Sequence, residues 1–348
     1  SRDDLSEYGL RSPKRWIEIE GTGRILLGKE AAIEGRVYAR RDGSQDVHVI
    51  EDAVAEFVDM GVDRLRDRLL TDAGPPQVDR FVIRTGEGEL EVAREGEGWR
   101  IRKPLADAAD EEAVAAFLGR LLGVRIESFE GDDKGDLGRL GIQEGRDEIS
   151  LYIEGKERPA VVRFGNPLPD HPESLHAQLT ARDCVVRLPA TSSELVRIGQ
   201  NELRDKRVLP LNLDMVDIVR VTAGNATVTI ARQDEGWAVE GDQREVNPQS
   251  MQHVVDALAD ARALGFVASA EPPPVPPELQ ITFHAALSEN SAEAPAGEQL
   301  VGGLTLWPEA NGERLAKVEG RSGLLRVPSD LAAILPSDAD AWTKPAPP

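Results

Sequence analysis

Lys29 closes the stretch "GRILLGK", residues 23–29, which fits the first seven positions of a phosphate-binding loop. In such a loop a glycine-rich turn aims backbone N–H groups at phosphate oxygens, the Lys reaches the outer phosphates, and a following Ser or Thr hydroxyl holds magnesium. Here Glu30 occupies the hydroxyl position, where a carboxylate repels phosphate oxygens. Ile25, Leu26 and Leu27 fill the cradle with an apolar run that reads as a buried strand. "RVYARR" alternates as another strand where the loop demands a helix. Nucleotide binding is therefore not expected, and Lys29 is expected at a solvent-facing turn.

The other chemistry-bearing residues are equally scattered. His48, His171, His176, His253 and His284 form no pair at the i, i+4 spacing of a helical metal site and read as surface or rim residues. The strained nucleophile turn G-x-S-x-G is absent. "EGDDKGD", Glu130 to Asp136, lacks the spacing of a calcium loop and reads as a solvated linker. Cys184 is the single cysteine, which excludes an intrachain disulfide and a multi-cysteine zinc site. No catalytic, cofactor or metal residue is expected. The balance of 41 basic against 62 acidic residues, net −21, argues against nucleic acid and anionic membrane surfaces as partners. No run of 18 apolar residues marks a membrane span, so no insertion by these residues is expected.

The elements that carry these residues repeat. "LRDRLL" from Leu65 recurs as "LRDKRVL" from Leu203, 138 residues later. "VDRFVI" at Val78 recurs as "VDIVRV" at Val216, and Trp99 of "GEGWRI" as Trp237 of "DEGWAV", both again by 138. "DLSEYGL" at Asp4 pairs with "DLGRLGI" at Asp136, and Gly28 pairs with Gly165, a strand ending at a glycine turn with no lysine after it. A motif that recurs at a fixed period marks a fold before it marks an active site.

Each repeat has two halves. The first is two strands, a "GW" turn into a third, and an amphipathic helix, expected near 110–123 and 248–263; Asn247-Pro248 supplies an N-cap with proline at the first helical position. The second half is a "YGL"-type turn, about four strands and closing helical turns. The reading is α+β: tandem modules of about 138 residues, each a mostly antiparallel sheet with one main covering helix. Residues 1–75 form the second half of a truncated first repeat, 76–212 a complete second, 213–336 a divergent third, and 337–348 a flexible tail. The third repeat replaces its "YGL" turn with "EPPPVPPEL" and carries "SENSAEAPAGE", which reads as disordered. A missing first half of the first repeat is expected upstream, as a natural place for an anchor. The strands of 4–72 are expected to dock in cis on the following module, through the turns near Leu65 to Leu70.

Tyr8, Gly9, Leu10, Gly28, Arg66, Asp67, Trp99, Gly165, Arg204, Asp205 and Trp237 carry the repeat and are expected to be structural. The tryptophans read as core anchors, and Arg and Asp of "LRD" as groups that satisfy backbone where a closing turn meets the next repeat. The order of these motifs ("YGL", "LLG", "VY", "LRD", then the "GW" hairpin with its helix) resembles domain-of-unknown-function family 4340. The resemblance implies an accessory protein of gliding-motility-type ABC transporters, anchored in the membrane and placed outside the cytoplasm. Its expected partners are an ABC permease or an associated extracytoplasmic protein. A non-enzymatic scaffold is the favoured function. Capture of a glycan or lipid in a cleft between repeats is the alternative, and a hydrolase with paired carboxylates comes last.

Overall fold

A computed structural model describes residues 5–130, 137–234, 236–241, 245–267, 271–287 and 297–343. Three antiparallel sheets follow one another along the chain. The first holds β1 (Arg15–Ile19), β2 (Gly23–Glu30), β3 (Arg36–Arg41) and β4 (His48–Glu51) in that order, followed by α1 (Ala53–Asp59) and α2 (Val62–Leu65).

The second module runs β5 (Val78–Thr85), β6 (Gly88–Glu95), β7 (Gly98–Lys103), β8 (Asp107–Ala108), α3 (Glu111–Gly123) and β9 (Ser128–Phe129). It continues with β10 (Glu148–Ile153), β11 (Ala160–Pro167), β12 (Ser174–Leu179) and β13 (Cys184–Pro189), then a 3-10 helix over 190–197 and α4 (Gln200–Leu203). The third module runs β14 (Ile218–Ala223), β15 (Ala226–Gln233), β16 (Gly236–Val239), α5 (Pro248–Asp260), β17 (Gly265–Val267), β18 (Leu279–Leu287), β19 (Gly297–Leu306), β20 (Glu313–Val318) and β21 (Leu324–Pro328). It ends with α6 (Leu331–Ile334) and α7 (Ala339–Thr343).

The second sheet is ordered β8-β7-β6-β5-β10-β11-β12-β13-β9 and the third β16-β15-β14-β18-β19-β20-β21-β17, the same arrangement strand for strand, with a single bridge, Ala238 to Glu245, where β8 would pair. The fold is α+β and built of repeats. In each complete module the two halves meet through two strand pairs, β5 with β10 and β9 with β13 in the second module, β14 with β18 and β17 with β21 in the third.

Each main helix starts and buries as its sequence dictates. The Asp110 carboxylate caps α3 by accepting the Ala113 N–H at 2.9 Å, and Val114, Phe117, Leu118 and Leu121 form the buried stripe. Asn247 caps α5 through the Gln249 N–H at 2.9 Å, and Met251, Val254 and Leu258 lie in the third module's core. Phe117 stacks on Phe81 with ring centroids 4.9 Å apart, so helix and sheet share one apolar core.

Several expectations change. Lys29 is exposed but lies within β2, not at a turn. Gly28 and Gly165 likewise sit inside strands, each at a shift of register with the next strand. Residues 337–343, assigned to a tail, include α7, and Trp342 is fully buried. The Asn247 N–H donates to Trp342 O at 3.0 Å, as the Asp110 N–H donates to Leu203 O at 2.8 Å, so α7 is the third module's counterpart of α4. Residues 131–136 of the acidic linker, 288–296 of the loop and 344–348 of the tail lie outside the described residues.

Candidate functional site

Gly28 and Gly165 are glycines because a backbone carbonyl lies where a Cβ would go. The turn at Tyr8-Gly9-Leu10 lies across β2: Tyr8 O accepts the Lys29 N–H at 3.0 Å, and a Cβ on Gly28 would stand 2.1 Å from that oxygen. In the second module Leu140 O accepts the Asn166 N–H at 2.8 Å, and a Cβ on Gly165 would stand 2.3 Å from it. Gly9 and Gly141 both have positive φ, 70° and 75°, which lets each turn close and drive Leu10 or Ile142 into the protein. In the third module the residue after the paired Leu304, Thr305 and Leu306 is Trp307, in the place of Gly165 after Val162, Arg163 and Phe164. Its buried indole donates from Nε1 to Val275 O at 3.1 Å, inside the proline-rich segment that replaces the turn. Turn and glycine are lost together, and one bulky side chain fills the space both left.

Trp99 and Trp237 open β7 and β16, each directly opposite an arginine of the neighbouring strand, Arg94 or Arg232. Both guanidinium carbons stand 4.7 Å from the indole centroid, a cation–π pair kept in both repeats. Trp99 is buried and near Phe81, as expected of a core anchor; Trp237 is only half-buried.

The densest constellation lies where one repeat hands over to the next. The carboxylate of Asp107, on β8, is 1% exposed and faces two guanidinium groups. Arg204 reaches Oδ2 from Nε at 2.7 Å, and Arg321, from the turn between β20 and β21, donates from Nε to Oδ1 at 3.0 Å and from a terminal nitrogen to Oδ2 at 3.1 Å. Both cations stand over the Phe266 ring of β17, Arg204 at 3.8 Å and Arg321 at 5.8 Å. Arg204 also donates to Ser322 O, and Arg321 to Asp205 O and Arg207 O. Burial draws the Arg204 guanidinium below its ordinary range, against the opposing pull of Asp107.

The first junction repeats the plan. Arg66 stands over Phe129 of β9 at 5.0 Å, as Arg204 does over Phe266. Arg182, from the turn between β12 and β13, donates to Asp67 O at 2.5 Å, as Arg321 does to Asp205 O. The side chains of Asp67 and Asp205 accept the N–H groups of Leu69 and Arg207, two residues on, at 3.0 and 2.9 Å. The chain then bridges into the next module, Leu69 to Arg125 and Arg207 to Arg262. Leu70 enters the second core, and Val208 and Leu209 the third. The turns from which docking was expected thus contact the second module in cis, while the first four strands keep a core of their own, Leu27, Val37, Ala39 and Ala55.

Asp107, Phe129, Phe266, Arg182, Arg321 and Trp307 were not singled out from the sequence. The phenylalanines recur after 137 residues and the arginines after 139, so both fall outside a strict period of 138.

Among the described residues every carboxyl group whose pKa departs clearly from its ordinary value is held low, the reverse of a general acid. Glu89 is lowered by hydrogen bonds from Lys103 and Arg84. Burial pushes Glu148 up, but the Gly145 N–H, Arg163 and Arg84 outweigh it. Among the described residues no group of three or more His, Cys, Asp or Glu is placed to hold a metal, and no helix is long and apolar enough to cross a membrane. His48, His171 and His253 are exposed, whereas His176 and His284 are half-buried. A cavity of about 610 Å3 in the second module lies among Ile83, Leu90, Pro104, Arg146 and Ile198. A cleft of about 470 Å3 beside the second junction is lined by charged residues, among them Glu111, Glu112, Lys206, Arg207 and Arg262. Neither has an aromatic wall.

Fold and site thus define a serial α+β repeat protein whose most developed side-chain constellation joins one module to the next. The model of the family described as domain of unknown function (DUF4340) matches residues 1–108 and 99–280. The chain belongs to that family. No curated protein and no solved structure matches it.

Proposed function

We propose that this chain is a non-enzymatic, extracytoplasmic scaffold of an ABC-type transport assembly of the gliding-motility kind, with an ABC permease or an associated extracytoplasmic protein as its partner. The observation that carries the reading is the junction, built twice from the same contacts. An arginine over a phenylalanine, a second arginine on the Asp carbonyl and an apolar residue in the next core fix the spacing of successive modules. Fixed spacing is what a scaffold requires. The transport context and the location come from the family resemblance, and the net charge of −21 suits a protein partner better than an anionic surface.

One observation favours a second reading, glycan capture between repeats: the junctional cleft is lined by charged groups, which suit a polar ligand and not a lipid. The test is photo-crosslinking in the source cells from Val49 and Met215, both exposed. Adducts with permease or extracytoplasmic subunits are expected; adducts with cytoplasmic proteins alone contradict the proposal.

A further inference from the structure

Positions that are closed in the complete modules, in both of them for Ile17, Ile19 and Leu65 and in the second for Phe57, stand open in the first sheet. Ile17 and Ile19, opposite Ile25 and Gly23 of β2, take the places of Ile149 and Leu151 on β10, and of Ile281 and Phe283 on β18. Those four counterparts are at most 1% exposed, whereas Ile19 is 44% exposed and Ile17 half-buried. Phe57 is 51% exposed where Leu195, 138 residues on, is 6%. Leu65 is 56% exposed, whereas its counterparts Leu203 and Trp342 are fully buried.

The repeats also show what does the covering. Beside β10 and β18 lie β5 and β14, and the helices α3 and α5 pack over the same apolar face. β1 holds the corresponding place at the end of its sheet, and β2 is its one strand partner among the described residues. An apolar face beside an open strand edge is a template for a further strand.

We propose that this face, Ile17, Ile19, Phe57 and Leu65 together with the free edge of β1, is the docking surface for a hairpin-and-helix unit of the same design as residues 78–123. The unit places a strand antiparallel to β1 and lays the apolar stripe of a helix over Ile19, Phe57 and Leu65. A second copy pairing β1 to β1 satisfies the edge but supplies no helix for Phe57 and Leu65. The inference stands apart from the transport reading and holds or fails without it.

The test adds the unit to the intact chain. A copy of residues 76–130 is joined ahead of Ser1 through a flexible linker, and a second version carries residues 214–264 instead. Hydrogen exchange of the β1 amides is expected to slow at least about tenfold in one version or both, the mark of a strand drawn into a cooperative unit. Leu65→Asp is expected to leave the melting temperature of the 348-residue chain unchanged and to lower that of the extended protein. Unchanged β1 exchange in both versions overturns the proposal. So does β1 protection in the 348-residue chain that rises with its concentration, which assigns the face to a second copy.

Discussion

At the scale of residues, backbone approach decides more than side-chain chemistry. Gly165→Ala pushes a methyl into Leu140 O, and the bulged strand has little room to yield. A loss of about 1–3 kcal/mol is expected by chemical denaturation, the range of overpacking. Gly119, exposed in α3 with nothing within 4 Å of an added Cβ, is the control: Gly119→Ala is expected to stabilise by up to about 1 kcal/mol, as helix propensity dictates. A second residue-scale expectation concerns pH. A ladder of ion pairs crosses the second sheet from Lys103 to Glu89, Arg84, Glu148 and Arg163, with links of 2.7, 2.7, 3.0 and 3.0 Å. Glu89 and Glu148 bind protons less readily folded than unfolded, so their stabilisation is complete above the unfolded carboxyl pKa of about 4.3 and is lost as pH falls through the lower folded value. Melting temperatures followed from pH 7 downwards are expected to drop in that window, with Glu148→Gln less stable at neutral pH and less sensitive to acid.

At the scale of elements, the second junction rests on one carboxylate. Asp107→Ala leaves the buried Arg204 and Arg321 guanidinium groups facing each other without their anion, and a loss of about 3–5 kcal/mol is expected, the cost of breaking a buried pair from one side. Calorimetry of this variant is expected to show the third module melting apart from the second. Which elements form was legible in the sequence, because α3 and α5 carry helical apolar spacing with their caps, and three motifs recur 138 residues apart. What the motifs touch was not. Asp107 meets Arg321 across 214 residues of chain, and no local pattern marks such a contact. Trp307 hid for a related reason: it replaces a glycine, and only the pairing of β19 with β20 shows the two positions to be equivalent.

At the scale of the whole molecule, the chain is a series in which each segment completes the core of the next. Leu70 and Ala73 belong to the second module's core although they precede its first strand, and Arg182 of that module holds the Asp67 carbonyl. The measurement that bears most directly on this account is the unfolding of a chain lacking residues 1–72, followed by urea denaturation beside the complete chain. Removal of Leu70 and of the Arg66 and Asp67 contacts is expected to destabilise the second module by more than about 1 kcal/mol, the scale of one lost buried contact. A shortened chain whose second module unfolds at the same midpoint and with the same cooperativity contradicts it, and shows the modules to be independent beads.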